Sequence, residues 1–157
     1  MTDLETWFSV NQFYTKEARY LDDLEFTNWL SGFDETVRYW MPIVSNRIGR
    51  DVGRELTQPG ELAHFEDDHT SLTNRVKRLQ TGRAWAETPP GRTNHMISNV
   101  EIMERDGVQL KVRSQFLIYR SHMEIDQEIF SGTRIDKLRP DTETAWKIMD
   151  RSIILDH

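Results

Sequence analysis

The stretch HMISNVEIMERDGVQLKVRSQFLI, residues 95–118, carries the clearest structural pattern in this chain. Asp106 and Gly107 form a dipeptide that is typical of a tight hairpin turn. On both sides of the turn, apolar side chains alternate with polar ones such as Lys111 and Arg113, which is the period of a strand with one buried face. The stretch therefore predicts a hairpin of two long antiparallel strands.

More strands flank this hairpin. Alternating residues predict one strand over 123–138, with Gly132 at a bulge, and another over 145–155, and the turn RPDTET separates them. A short strand, RAWAE, is predicted over 83–87, ahead of the hairpin. The second half of the chain is therefore predicted to form an antiparallel meander.

The first half of the chain is predicted to contain the helices. Apolar residues recur at three- and four-residue spacings from Val10 to Leu21, which indicates one face of an amphipathic helix. A short helix is expected over 25–31. The remaining predicted elements are a strand over 35–45, a polar, arginine-rich loop over 46–60 and a helix over 68–79.

Helices followed by a meander are the pattern of an α+β fold. The length of 157 residues fits one domain, spanning 1–157. Long twisted strands with the N-terminal helices against their concave side predict a cone-shaped, curved sheet. The absence of cysteine excludes disulfides and Cys-ligated clusters in this chain, and the net charge of −6 argues against a general affinity for nucleic acid. No apolar run is long enough for a membrane span and no signal peptide is evident, so we expect a cytoplasmic protein.

The stretch AHFEDDHTSL, residues 63–72, raises the question of a metal site, because two imidazoles and a carboxylate are what a non-haem iron centre requires. On a helix, His64 and His69 would point about 140° apart, since each residue turns the helix by about 100°. They could not bind one metal ion from one helix face. The three acids at 66–68 are interpreted instead as the acidic first turn of a helix.

A second polar set leads into the first hairpin strand and comprises Arg92, Thr93, His95, Ser98 and Asn99. His95 is a candidate general base in a cavity, with Tyr39 or Asp136 beside it. The commoner role of such side chains is to satisfy backbone groups or to pair with acids at a surface. Both interpretations stay open at this point.

Several motifs occur in an order that resembles the β (small) subunit of aromatic-ring-hydroxylating dioxygenases. They are EARYLDD at 17–23, Trp29 with Leu30, YWMP at 39–42, Arg47 with Arg50, AHFEDDH at 63–69, RTNHMISN at 92–99 and FSGTRIDKLR at 130–139. Together they extend over nearly the whole chain.

This resemblance implies a cystatin-like α+β cone of the kind shared with scytalone dehydratase and limonene epoxide hydrolase. It implies an α3β3 heterohexamer in which this chain trimerises and supports the catalytic α subunits. The Rieske [2Fe-2S] cluster and the mononuclear Fe(II) would belong to the α subunit, and no catalytic, cofactor-binding or metal-binding residue is expected here. The holoenzyme would take electrons from NADH through a reductase and often a ferredoxin, and would convert an aromatic hydrocarbon with O2 to a cis-dihydrodiol.

Charge and position predict six residues at subunit interfaces: Arg47, Arg50, Asp67, Asp68, Arg92 and His95. The rival hypothesis is a free-standing dehydratase, hydrolase or isomerase on the same fold, which would use a cavity histidine with a carboxylate. A third possibility is a ligand-binding module with an apolar pocket.

Overall fold

A computed structural model describes residues 1–42, 44–46, 54–56, 63–81, 92–122 and 126–156. The elements in this part of the chain are α1 (Asp3–Asp22), α2 (Phe26–Leu30), β1 (Phe33–Pro42), β2 (Val44–Asn46), β3 (Arg54–Leu56), β4 (Ala63–Asp67), α3 (His69–Gln80), β5 (Arg92–Asp106), β6 (Gln109–His122), β7 (Asp126–Asp141) and β8 (Ala145–Leu155). The predicted α+β class is confirmed.

Six strands form one mixed sheet in the order β4-β1-β8-β7-β6-β5. The meander predicted from β5 to β8 is antiparallel throughout, while β1 pairs with β8 in parallel. β2 and β3 form a separate two-stranded sheet, so part of the predicted loop over 46–60 is strand. The predicted strand over 83–87 lies outside the described residues.

The hairpin turn between β5 and β6 lies where the sequence predicts it. Gly107 has a φ of +62°, which is the left-handed conformation that such a turn requires and that glycine adopts without strain. Asp106 pairs with Gln109, so the register is fixed directly at the turn.

α1 packs along one face of the sheet and begins with a capping box. The Thr2 hydroxyl accepts a hydrogen bond from the Glu5 backbone N–H, and the Glu5 carboxylate accepts one from the Thr2 backbone N–H. One side of α1 buries Val10, Phe13 and Tyr14 in the main core. The helix therefore forms because its N-terminus is capped and its apolar stripe is buried by the sheet.

α1 also covers part of the exposed edge of the sheet, because β5 is a terminal strand. The Trp7 indole N–H donates to the backbone oxygen of Val100 at 2.9 Å. Near the other end of the helix, the Asp22 carboxylate accepts from the backbone N–H of His95 at 3.0 Å. These contacts satisfy edge groups that would otherwise be open to pairing with another strand.

Two local predictions are wrong. The acids at 66–68 do not form the first turn of a helix, because Glu66 and Asp67 lie in β4 and Asp68 is the N-cap of α3. Gly132 does not mark a bulge, because the register of β7 against β6 is regular through this residue. Its lack of a side chain is required by packing, since a Cβ there would lie 2.7 Å from the Phe116 ring.

Candidate functional site

Four charged side chains are buried together between α1 and the sheet, and we call them the interior charge cluster: Glu17 on α1, Arg134 and Asp136 on β7, and Arg151 on β8. Arg151 is at the centre of the cluster. Its guanidinium donates to Asp136 at 2.8 and 2.9 Å and to Glu17 at 2.5 and 2.9 Å. Two carboxylates therefore face two guanidiniums, and the formal charges balance.

Arg134 is held less tightly than its neighbour. It donates to the Ser114 hydroxyl at 3.3 Å and to Glu17 at 3.4 Å, and its guanidinium lies over the Tyr14 ring at 4.8 Å. Its Nη2 is buried and has no hydrogen-bond partner in the structure as described. The Tyr14 hydroxyl donates to Asp136 at 2.7 Å and so completes the coordination of that carboxylate.

The cluster keeps the Glu17 carboxyl ionised and the neighbouring Tyr14 hydroxyl protonated. Burial opposes ionisation of Glu17, but Arg151 and Arg134, with hydrogen bonds from Arg151 and Trp29, lower the pKa of its carboxyl to about 2. Burial and the charge of the neighbouring aspartate raise the pKa of the Tyr14 hydroxyl well above its usual value. A general acid or base works best when its pKa lies near the operating pH, so this arrangement favours structure over proton transfer.

The buried pairing of Glu17 predicts acid-sensitive stability. The pKa of its carboxyl is about 2 when folded and 4.5 in the reference state, so as the pH falls the unfolded chain takes up the proton first. The stabilisation is present above about pH 4.5, and about 2 to 3 kcal/mol of the free energy of unfolding is lost between that pH and about pH 2. Urea unfolding of the wild type and of Glu17→Gln at a series of pH values checks this.

The test compares how steeply the free energy of unfolding falls with pH in the wild type and in Glu17→Gln. Glu17→Gln is less stable at neutral pH, because its amide leaves Arg151 with one carboxylate fewer. It should, however, lose less stability than the wild type on acidification. Parallel pH profiles for the two proteins would contradict the assignment of a lowered pKa to Glu17.

A cavity of about 170 Å³ adjoins the cluster between α1, α2 and the turn before β8. Phe13, Trp29 and Ile148 form apolar parts of its wall, and Glu17 is also part of the wall. The Glu17 carboxylate accepts from the Trp29 indole at 3.0 Å in addition to its bonds with the arginines. The buried acid in the wall of this cavity is therefore bound by partners within the chain.

His95 contacts a different carboxylate from the two in the cluster. Its Nδ1 lies 2.6 Å from Asp22, which also accepts from the Thr93 hydroxyl at 3.2 Å. Both ring and carboxylate are largely buried, with 16% and 21% of their side chains exposed. His95 thus fastens the end of α1 to the start of β5, and the hydrogen bond from the histidine goes neither to Tyr39 nor to Asp136.

This chain is similar to known proteins over the elements that form the interior charge cluster. A family model described as "Ring hydroxylating beta subunit" matches residues 16–157, which includes the cluster and the β5–β8 meander. The chain belongs to the ring-hydroxylating dioxygenase β-subunit family.

Solved structures share the fold of this β-subunit-family chain. The β subunit of benzoate 1,2-dioxygenase from Burkholderia mallei is 24% identical, with a TM-score of 0.75 over 94% of this chain and 88% of that one. A chain of naphthalene 1,2-dioxygenase is 20% identical, with a TM-score of 0.81 over 100% and 82%. A putative scytalone dehydratase from Novosphingobium aromaticivorans is 15% identical, with a TM-score of 0.71 over 99% and 87%. At these identities the likeness shows the fold alone.

The predicted interface residues do not form one surface in this β-subunit-family chain. Arg92 and His95 lie at the start of β5, at one edge of the sheet, whereas Asp67 and Asp68 lie at the other edge, in and after β4. Arg47 and Arg50 are outside the described residues. The interface assignment stays a prediction for all six residues.

Both aspartates have local contacts within the chain, although the Asp67 Oδ2 is buried without a hydrogen-bond partner in the described structure. Asp67 is 8% exposed and lies 3.0 Å from the Arg75 Nε. Asp68 accepts from the backbone N–H of Ser71 at 2.8 Å, and this backbone hydrogen bond lowers the pKa of its carboxyl. Asp68 caps α3, which is a sufficient local reason for an acid at this position.

The sequence does not indicate that the four residues of the interior charge cluster lie together. Glu17, Arg134 and Asp136 each lie in motifs that carried the family resemblance, but Arg151 lies outside those motifs. The available signal was the alternation of β7, in which Arg134 and Asp136 occupy positions of the buried face. Two charges at buried strand positions require buried partners, which points to a polar interior.

Histidine, aspartate and glutamate side chains are the candidate metal ligands in the ranges that the structure describes. No group of three or more histidine, cysteine, aspartate or glutamate side chains there could hold a metal ion. Among the same residues, no helix is long and apolar enough to cross a membrane.

Proposed function

We propose that this chain is the β subunit of an α3β3 aromatic-ring-hydroxylating dioxygenase and that its role is assembly. In this proposal the α subunits hold the Rieske [2Fe-2S] cluster and the mononuclear Fe(II). The holoenzyme takes electrons from NADH through a reductase, often with a ferredoxin, and converts an aromatic hydrocarbon and O2 to a cis-dihydrodiol in the cytoplasm. The family match over residues 16–157 is the observation that carries the proposal.

The interior charge cluster supports a structural role. In a free-standing enzyme on this fold, the interior carboxylates would need an unoccupied lone pair and a pKa suited to proton transfer. Here Glu17 and Asp136 are both bound by Arg151, and Glu17 has a pKa of about 2. His95, the other candidate base, is bound to Asp22.

Native mass spectrometry of the chain purified from its own host tests the proposal. We expect a heterohexamer of this chain with a larger, iron-containing subunit. Recovery of the chain alone, as a monomer or homo-oligomer with activity of its own, would refute the proposal. In that case the cavity beside Glu17 and Trp29 would be the place to search for an active site.

Arg92→Ala is expected to lower the yield of the heterohexamer severalfold. Arg92 is an exposed cation at the start of the edge strand β5, and interfacial charges contribute to the specificity and rate of association. The measurement is the fraction of chain recovered in the complex at equal expression. Lys77→Ala removes an exposed cation from α3 and is the matched control, and an unchanged yield for Arg92→Ala would count against the assignment.

A further inference from the structure

The cavity between α1, α2 and the turn before β8 has walls that hydrogen bonds tie to one another. The Trp29 indole on α2 donates to the Glu17 carboxylate on α1 at 3.0 Å. The Ile148 backbone N–H on β8 donates to the Gly32 carbonyl, just after α2, at 2.8 Å. The cavity is therefore part of the fold and is formed without a ligand, as most binding sites for small molecules are.

The turn between β7 and β8 contributes a wall that contains a strained residue. The Asp141 carboxylate fixes this turn by accepting from the backbone N–H groups of Glu143 and Thr144, both at 3.0 Å. Ala145, which lines the cavity, has a φ of +68°, a left-handed conformation that is unfavourable for a residue with a Cβ. Such strain persists only where the surrounding structure fixes the backbone, and it is concentrated at functional sites.

The apolar part of the wall leaves room for one aromatic ring. Phe13 and Ile148 are held in the core, with 8% and 0% of their surfaces exposed, and Trp29 lies beside them. Gly32 is also part of the wall, and a Cβ there would lie 3.3 Å from the Phe13 Cζ. An apolar cavity of about 150 Å³ is enough to hold benzene, so a cavity of about 170 Å³ accepts a single ring.

The polar part of the wall lies nearer to solvent and has free hydrogen-bonding groups. Tyr20 is half-buried and Asn28 is exposed, and both side chains line the cavity. Within the ranges that the structure describes, neither the Tyr20 hydroxyl nor the Asn28 side-chain amide has a hydrogen-bond partner. A hydroxyl substituent on the ring suits these groups, because it can donate to one and accept from the other.

The charges of the wall favour a neutral ligand. Lys16 and Glu143 are exposed and contribute one charge of each sign. The charge of Glu17 is matched by Arg134 and Arg151, which both donate to its carboxylate. An ionised ligand would therefore find no net opposite charge, and leaving water for this cavity would cost it free energy.

We propose that this cavity binds a neutral, single-ring phenol. Its ring lies against Phe13, Trp29 and Ile148, and its hydroxyl bonds with Tyr20 and Asn28. Such phenols are uncharged at pH 7, as the tyrosine side chain is. The site binds the phenol without transforming it, because the buried acid in its wall already accepts hydrogen bonds from the arginines and from Trp29. This inference goes beyond the proposed assembly role and does not depend on it.

Titration of the purified chain with para-fluorophenol, followed by fluorine NMR, tests the proposal. We expect one bound molecule per chain with a dissociation constant on the order of 1 mM, since a ligand this small gains little free energy on binding. Unlabelled phenol should displace it. The absence of saturable binding at ten times that concentration would overturn the proposal.

Two variants of Asn28 locate the site and test the role of the hydroxyl. Asn28→Trp places an indole at the opening of the cavity and should weaken binding at least tenfold, whereas Thr15→Trp, at an exposed position of α1 that does not line the cavity, should leave it unchanged. Asn28→Ala should weaken binding of para-fluorophenol about fivefold and leave that of fluorobenzene unchanged, because only the phenol loses a hydrogen bond. Equal affinities of the wild type and Asn28→Trp, or equal effects of Asn28→Ala on both probes, would contradict the proposal.

Photolabelling of the wild type gives a test that does not depend on the folding of any variant. The native complex is irradiated with para-azidophenol, with and without excess phenol, and its peptides are analysed by mass spectrometry. In this chain we expect label within residues 13–32 and 143–148 that phenol suppresses. Label elsewhere in this chain, or in a large subunit alone, would overturn the proposal. The presence or absence of a large subunit in the preparation bears on the proposed function and not on this site.

Discussion

Arg151→Met is expected to lower the free energy of unfolding by about 3 to 5 kcal/mol, the range for breaking a buried ion pair by removal of one partner. Arg151 is 2% exposed and holds Glu17 and Asp136 with four hydrogen bonds. Methionine fills similar space but leaves two buried carboxylates with Arg134 as the remaining cation. Urea unfolding at pH 7, followed by circular dichroism, measures the change.

Two further variants separate charge from packing in this prediction. Arg151→Lys keeps a positive charge but loses the paired geometry of the guanidinium. Its free energy of unfolding should therefore lie between that of the wild type and that of Arg151→Met. The double variant Glu17→Gln/Arg151→Met should lose less free energy of unfolding than the sum of the losses of the two single variants. The reason is that Glu17→Gln removes one of the carboxylates that Arg151→Met leaves unpaired. Full additivity, or an Arg151→Met protein as stable as the wild type, would contradict a central role for Arg151.

The strands of the meander could be predicted because their signals are local. The Asp106–Gly107 turn sets the register of β5 and β6 next to the turn, and the alternation on both sides of it indicates the strands, although irregularities after Ser98 and Ile102 shift the register further along β5. The parallel pairing of β1 with β8 carries no such signal, because it joins Tyr39 to Arg151 across most of the chain. Long-range pairing of this kind depends on the burial of whole faces, which a single sequence does not display.

The interior charge cluster was hidden from the sequence for a related reason. The apolar face predicted for the first helix includes Glu17, but the sequence indicates no partner for its charge. Its partners Arg134 and Arg151 are separated from it by 117 and 134 residues. The sequence suggests Asp136 as a catalytic partner of His95, whereas its hydrogen bonds are with Arg151 and Tyr14. The sequence shows which residues carry charge, but it does not show which of them pair in the folded chain.

Gly132→Ala is expected to destabilise the protein by about 3 to 4 kcal/mol, at or above the upper end of the usual cost of overpacking. A Cβ at this position would overlap the backbone oxygen of Ile154 and would lie 2.7 Å from the Phe116 Cζ. The Phe116 side chain can rotate or be replaced by a smaller one. The Ile154 oxygen, however, belongs to the backbone of β8 and cannot move without disturbing the pairing of β8 with β7. Urea unfolding at neutral pH measures the loss.

Two further variants test the source of the stability loss expected for Gly132→Ala. Gly107→Ala provides the control, since a Cβ there meets nothing within 4 Å and the expected cost, about 1 kcal/mol, comes from its φ of +62° alone. Phe116→Leu relieves the overlap with the ring but leaves the overlap with the backbone, so in combination with Gly132→Ala it should recover little stability. Substantial recovery in that double variant would show that the ring, and not the β8 backbone, is what requires glycine at position 132.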